Sequence, residues 1–205
     1  MRLENCEFPV QLGGHLCLNF TNTAEFRHTD HRLEFLHSYE HVLAWCWQNH
    51  LITEKAAERI GALATQRPAE AEAAFRQALE LREMFYCIFT AAIANEFPGS
   101  GNLALLNQTL SRTQQQRGIS ISDNADYGWA WTYTDDLASV LAPLVFSGAD
   151  LLASDQLGWV RQCPNCGWLF LDTSRNHTRR WCSMDYCGSK VKSHRQYERR
   201  KQNQA

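Results

Sequence analysis

The sequence predicts a mainly α-helical protein: a helical N-terminal domain with one short β-hairpin, followed by a small C-terminal four-cysteine zinc finger of short strands and a C-terminal helix. Three observations lead there. Apolar residues recur at helical spacing through most of the first 155 residues. A single period-two stretch interrupts them. Four cysteines then cluster in the last 45 residues, where the charge also changes sign.

The elements follow in order. After Gly13-Gly14 comes a short apolar segment, Leu16 to Phe20, then polar residues to about His31. Val42, Leu43, Trp45 and Cys46 suit one helix, and Thr53 is placed to cap a second running through Ala56, Ile60 and Leu63. Pro68 fits the first turn of a long third helix, because a proline there gives up no internal hydrogen bond. That helix should run to about Asn95, before Pro98-Gly99. Its apolar residues form two adjoining stripes, one through Ala74, Ala78, Leu81, Phe85, Ile88 and Ala92, the other through Phe75, Leu79, Phe89 and Ile93. So wide a stripe predicts a central helix covered from more than one side.

Leu103, Leu106 and Leu110 mark a fourth helix. Ile119 and Ile121, then Trp129, Trp131 and Tyr133, alternate around the turn-rich residues Ser122 to Gly128 and predict the hairpin. From Asp135 the pattern returns to helix through Leu137, Val140, Leu141, Leu144 and Val145, with a kink expected at Pro143. Gly148 to Gly158 reads as the connection into the C-terminal module, dividing the chain into residues 1–155 and 156–205.

The net charge of −2 is a cancellation. Residues 161–205 hold ten of the twenty Lys and Arg but three of the twenty-two acids, a balance of +7, while the first 160 residues carry −9. Such a split points to an anion-binding module. No run approaches the roughly 18 apolar residues of a membrane span. Residues 1–8 lack the basic-then-apolar pattern of a secretory signal, so a soluble cytoplasmic protein with reduced thiols and no membrane partner is expected.

The cysteines divide as the charge does. Cys6, Cys17, Cys46 and Cys87 are scattered beside apolar residues and read as small buried hydrophobes. Cys163-x2-Cys166, fifteen intervening residues and Cys182-x4-Cys187 have the spacing of a zinc site, a redox CxxC being the alternative. Four thiolates close the coordination sphere, so one structural zinc is expected, supplying folding energy that 45 residues cannot draw from a small core. The four thiolates on one divalent ion bring the module to about +5.

Arg175, Arg179 and Arg180 precede the second cysteine pair; Lys190, Lys192, Arg195, Arg199, Arg200 and Lys201 follow on a segment read as a helix. These are candidate phosphate contacts, the other reading being a solvated tail. Arg82 stands on an otherwise apolar helix and either snorkels, pairs with an internal carboxylate or awaits an anionic ligand. With Asn19, Asn22 and Trp45 it is a candidate small-molecule pocket. His28, His31, His37 and His41 complete no metal motif, and no GxSxG, P-loop or GxGxxG is present, so no catalytic residue is assigned.

The run CPNCGWLFLDTSRNHTRRWCSMDYCGSK resembles the CGNR-type zinc finger at the C-terminus of bacterial stress-induced transcription regulators. The likeness covers about residues 160–200 and includes Phe170, Asp172, Ser174, Arg175, Arg180, Trp181 and Met184. The N-terminal GGHLCLNFTNT, with a Trp-containing helix and an Arg in a later one, resembles the helical ABATE domain that accompanies this finger. The naming tetrad reads Cys187-Gly188-Ser189-Lys190 here, so Lys190 replaces an arginine and its bidentate fork. Asn19 stands where the family usually shows Asp, while Asn22 and Thr23 match.

The resemblance implies a bacterial regulator that binds DNA through the finger, with the helical domain as effector or dimerisation domain. A small-molecule effector and a homodimer are therefore open partners, and RNA is not separated from DNA by phosphate contacts. The alternative is a finger docking on acidic protein surfaces, including the −9 part of its own chain, and an enzyme in the helical domain ranks last. If the acidic part competed with DNA, isolated residues 155–205 would bind it more tightly.

Overall fold

The computed structural model describes residues 3–121 and 126–202, with the side chains of residues 5, 194, 195, 198, 199 and 202 outside that description. Helices α1 (Leu16–Thr21), α2 (Tyr39–Gln48), α3 (Glu54–Gln66), α4 (Pro68–Ala94), α5 (Ser100–Thr113) and α6 (Ala142–Leu152) build the first part. Two antiparallel pairs lie among them, β1 (Ala24–Glu25) with β2 (Leu33–Glu34), and β3 (Arg117–Ile121) with β4 (Tyr127–Trp131). The C-terminal part pairs β5 (Val160–Gln162) with β6 (Leu169–Leu171) and ends in α7 (Ser189–Gln202).

Local chemistry accounts for most boundaries. Thr53 caps α3, its hydroxyl accepting from the Ala56 amide at 3.2 Å. Pro68 opens α4, and Asn95 closes it in the left-handed conformation (φ 55°) that asparagine tolerates. The wide apolar stripe of α4 makes it the central element, in contact with α1, α2, α3, α5, α6 and β5. Ala74, Ala78, Leu81, Phe85, Ile88 and Phe89 are buried along it.

Three expectations change. Pro143 does not kink a helix: residues Leu137–Leu141 form a 3-10 turn, and Pro143 sits in the first turn of α6, where its missing amide hydrogen costs no bond. Gly148 does not begin a linker. It lies inside α6 against the Phe85 ring, and a methyl group there would sit 2.1 Å from ring carbon Cε1, so the glycine sets how closely α6 approaches α4. Cys87 is exposed on α4 and Cys6 is half-buried, whereas Cys17 and Cys46 are buried, which pushes both of their thiols up to about 12.

The β3–β4 hairpin pairs Ile119 with Trp129 and Ile121 with Tyr127. These four side chains are exposed, while Arg117 inserts its guanidinium 3.7 Å from the Trp129 ring centroid and 4.8 Å from that of Phe146. Of the predicted turn, residues 122–125 lie outside the described residues, Tyr127 and Gly128 already belong to β4, and Tyr133 lies beyond its end.

The candidate zinc centre and its seat

The first cysteine pair forms a tight knuckle after β5. The Cys163 carbonyl accepts from the Gly167 amide at 2.9 Å, and the Cys163 amide donates to the Trp168 carbonyl at 2.8 Å. Gly167 has φ 78°, a left-handed conformation that favours glycine and lets the chain reverse into β6.

The second pair is built differently, which explains its longer spacing. The Ser183 hydroxyl accepts from the Asp185 and Tyr186 amides, and the Ser183 carbonyl accepts from those of Cys187 and Gly188 at 3.1 and 3.0 Å. This wide turn, Met184–Gly188, delivers Cys187 just before α7 begins. Four intervening residues are one helical turn rather than a knuckle.

All four sulfur atoms lie within 4.8 Å of one another and all four cysteines are buried. The Cys166–Cys182 and Cys182–Cys187 sulfurs are 3.7 and 3.5 Å apart. A tetrahedron with zinc–sulfur bonds of about 2.3 Å has edges of about 3.8 Å, so the donor set fits one zinc ion. The Asn165 amide donates to the Cys187 sulfur at 3.3 Å, an outer hydrogen bond that orients the ligand. Four protein sulfurs fill a tetrahedral ion, as in structural rather than catalytic zinc sites. Cys163, Cys166, Cys182 and Cys187 would hold the ion, fixing the knuckle, the loop and the start of α7 together.

The loop between the pairs is organised by Asp172, which is fully buried. Its carboxylate accepts from the Ser174 amide and hydroxyl at 3.0 and 2.6 Å and from the Arg179 amide at 2.8 Å. Burial alone would raise its carboxyl; the Ser174 and Arg179 hydrogen bonds outweigh that and hold it below the ordinary value. His177, left-handed at φ 49°, donates from Nδ1 to the Asp172 carbonyl at 2.7 Å and stacks on Trp159 with ring centroids 4.5 Å apart.

The finger does not hang on a linker. β6 pairs with β5 on one edge, and on the other the Asn22 amide completes the ladder: Nδ2 donates to the Leu169 carbonyl at 2.8 Å, and the Leu169 amide donates to Oδ1 at 2.9 Å. The Leu171 amide donates to the Gly13 carbonyl at 2.8 Å, the Phe26 amide to the Cys166 carbonyl at 2.9 Å, and the Trp168 indole to the Ala24 carbonyl at 3.1 Å. Tyr186 stacks on Trp168 and donates to Glu25, a fully buried acid whose carboxyl burial pushes up. Val160, Leu169 and Leu171 belong to the same hydrophobic core as the helices, while Leu12 and Phe26 pack against the core of the finger.

The predicted site residues are therefore distributed as follows. Arg175, Arg180, Lys190, Lys192, Arg200 and Lys201 are exposed on the finger and α7. Lys190 holds its ammonium 4.6 Å from the Tyr186 ring centroid, and Arg180 lies over Trp181. Arg179 points inward instead: it donates from Nε to the Trp181 carbonyl at 2.9 Å, also to the Cys182 carbonyl, and lies over the Phe170 ring. It braces the second cysteine pair. Arg195 and Arg199 lie on α7 with side chains outside the described residues.

The pocket expected around Asn19, Asn22, Trp45 and Arg82 is replaced by four internal roles. Asn19 accepts from the Gly13 amide and donates to Gln11. Asn22 clasps β6. Trp45 is buried edge-on against Phe20. Arg82, 1% exposed, makes a two-pronged ion pair with Glu34 at 2.6 and 2.7 Å and also bonds Glu83, which pairs in turn with Arg27. Glu34 and Glu25, both on the short β1–β2 pair, were not singled out as site residues from sequence, because two-residue strands carry no periodic signal.

Residues 14–155 match the ABATE family, described as "Putative stress-induced transcription regulator", and residues 160–200 match the CGNR zinc finger. The first match spans more than half of the chain, so the protein belongs to the ABATE family, and it carries a CGNR zinc finger at its C-terminus. A search of curated proteins found no match.

Proposed function

We propose that this protein is a cytoplasmic transcription regulator that binds DNA through its zinc-organised finger and α7, the helical part being regulatory and not catalytic. The observation that carries this reading is the set of exposed cations. Arg175, Arg180, Lys190, Lys192, Arg200 and Lys201 surround the zinc centre and extend along α7, and among the described residues none is within 4.0 Å of a carboxylate. Cations without a carboxylate partner release counterions, and break no ion pair, when they meet phosphates. Membership of a family described as transcription regulators supports the same role. The hydrogen bonds that seat the finger on the helices, from Asn22, Trp168, Tyr186 and backbone groups, involve none of these cations.

Selection sequencing of random duplex DNA with the zinc-loaded full chain, followed by a salt titration of the selected site, tests the proposal. If the six cations each meet a phosphate, log affinity should fall against log salt with a slope of about −5. Replacing Arg175, Arg180 and Lys192 together by alanine should reduce that slope by about 3. No binding at low salt by protein carrying one zinc per chain would overturn the reading.

A further inference from the structure

We propose that α7 lies in the major groove of duplex DNA, with an uncharged row of side chains facing the bases and Gln196 selecting one of them. The inference rests on the DNA-binding reading and assigns the face that carries sequence preference. α7 (Ser189–Gln202) has 14 residues and is therefore about 21 Å long. It packs on the turn Met184–Gly188 that carries Cys187, so its start is fixed to the zinc centre. Val191 is half-buried, and every other side chain described on the helix is exposed.

At about 100° per residue the positions of α7 sort into rows. Ser189, Ser193 and Gln196 fall on one row, which Arg200 continues at the next turn. Lys190, Tyr197 and Lys201 border it on one side, Lys192 and Arg199 on the other. Val191 and the one acid of the helix, Glu198, fall on the far side, about 140–160° away. The charge of α7 is thus divided into two cationic flanks with an uncharged strip between them.

That division complements the major groove, which is about 12 Å wide, admits one α-helix and is bordered by the phosphates of both strands. Cations on the two flanks meet those phosphates from either side, and the strip between them faces the base edges. Its serines, Ser189 and Ser193, are short and let the helix come close to the groove floor. Gln196 is the longer side chain that reaches it. A glutamine amide carries two donors and an acceptor oxygen, which match adenine N7 and N6 as a bidentate pair. Arg200 remains a phosphate contact, because the first turns of a recognition helix meet bases while its C-terminal end meets the backbone. The half-buried Val191 turns the far side toward the finger and puts the Glu198 position away from the phosphates.

The test is selection sequencing of random duplex DNA with the zinc-loaded full chain as parent, Gln196→Ala, Gln196→Arg and Lys192→Ala. Alanine and arginine are good helix formers, so the Gln196 variants should keep one zinc per chain and the parent's helix content. The parent should prefer adenine at one position of its motif. Gln196→Ala should lose that preference about tenfold with the salt slope unchanged, and Gln196→Arg should exchange adenine for guanine there. Lys192→Ala should instead weaken every sequence alike, reduce the slope by about 1 and leave the motif as it is. The inference fails, with the DNA-binding reading intact, if the parent binds DNA without base preference, if Gln196→Ala selects the parent's motif, or if the base it loses is not adenine. Absence of any DNA binding by the parent overturns the DNA-binding reading itself, and this inference with it.

Discussion

Arg82 shows how a single buried charge organises its surroundings. Its guanidinium holds Glu34 from β2, touches Thr23 and bonds Glu83 on its own helix, so three separated segments meet on one side chain. Glu34 and Glu83 would keep Arg32 and Arg27 as partners but lose the charged hydrogen bonds of Arg82, and Arg82→Met should destabilise the protein by about 2 kcal/mol, measurable by urea titration. The pair also sets an acid limit. Burial would raise the Glu34 and Glu83 carboxyls, but the hydrogen bonds and charges of Arg82 and Arg27 outweigh it and lower both below the usual 4.5. A lowered carboxyl contributes stability that is present above 4.5 and is lost as pH falls through the folded value. The parent should thus lose stability below about pH 4.5, and Glu34→Gln should lose less across the same window, as read by denaturant midpoints at each pH.

At the scale of elements, the decisive contacts are close approaches. Gly148 lets α6 lie against α4, with Phe85 fully buried beneath it. Gly148→Ala should cost about 1–3 kcal/mol through overpacking, visible as a lower thermal midpoint, although alanine is the better helix former. This glycine was misread from sequence as the start of a linker, because glycine marks turns and close packing alike. The helices themselves were legible: apolar spacing, Thr53 and Pro68 give α3 and α4 nearly to the residue. The β1–β2 pair was not, since two-residue strands have no period, yet it carries the partners of both Arg82 and Tyr186.

Across the whole molecule, strands β5 and β6 tie the finger to the helices: Val160, Leu169 and Leu171 lie in the helical core, while Trp168 and Phe170 lie in the finger's own. Trp168, Leu169 and Phe170 are fully buried, and the outer edge of β6 is closed by Asn22 and Gly13. Zinc removal should therefore reach beyond the finger. Stripping the metal with a strong chelator, or Cys182→Ser, should abolish zinc stoichiometry and lower the thermal midpoint of the entire chain in one transition. An unchanged midpoint for the helices would contradict this coupling through β5 and β6. For the same reason, residues 155–205 cut from the chain would bare Leu169, Leu171 and Trp168, so measurements of DNA affinity belong on the full chain.

The sequence by itself determined what is local or stoichiometric: the helical periodicity, the caps, the four cysteines at zinc spacing and the reversal of charge near residue 160. Each depends on residues a few turns apart, or on composition alone. Tertiary structure decided which charges are spent inside and which face outward. Arg179 and Arg180 are adjacent in sequence, yet one braces the Cys182 carbonyl and the other is exposed. Asn22 serves as a strand partner for Leu169, 147 residues away, and a pairing across that separation leaves no pattern in the chain that encodes it.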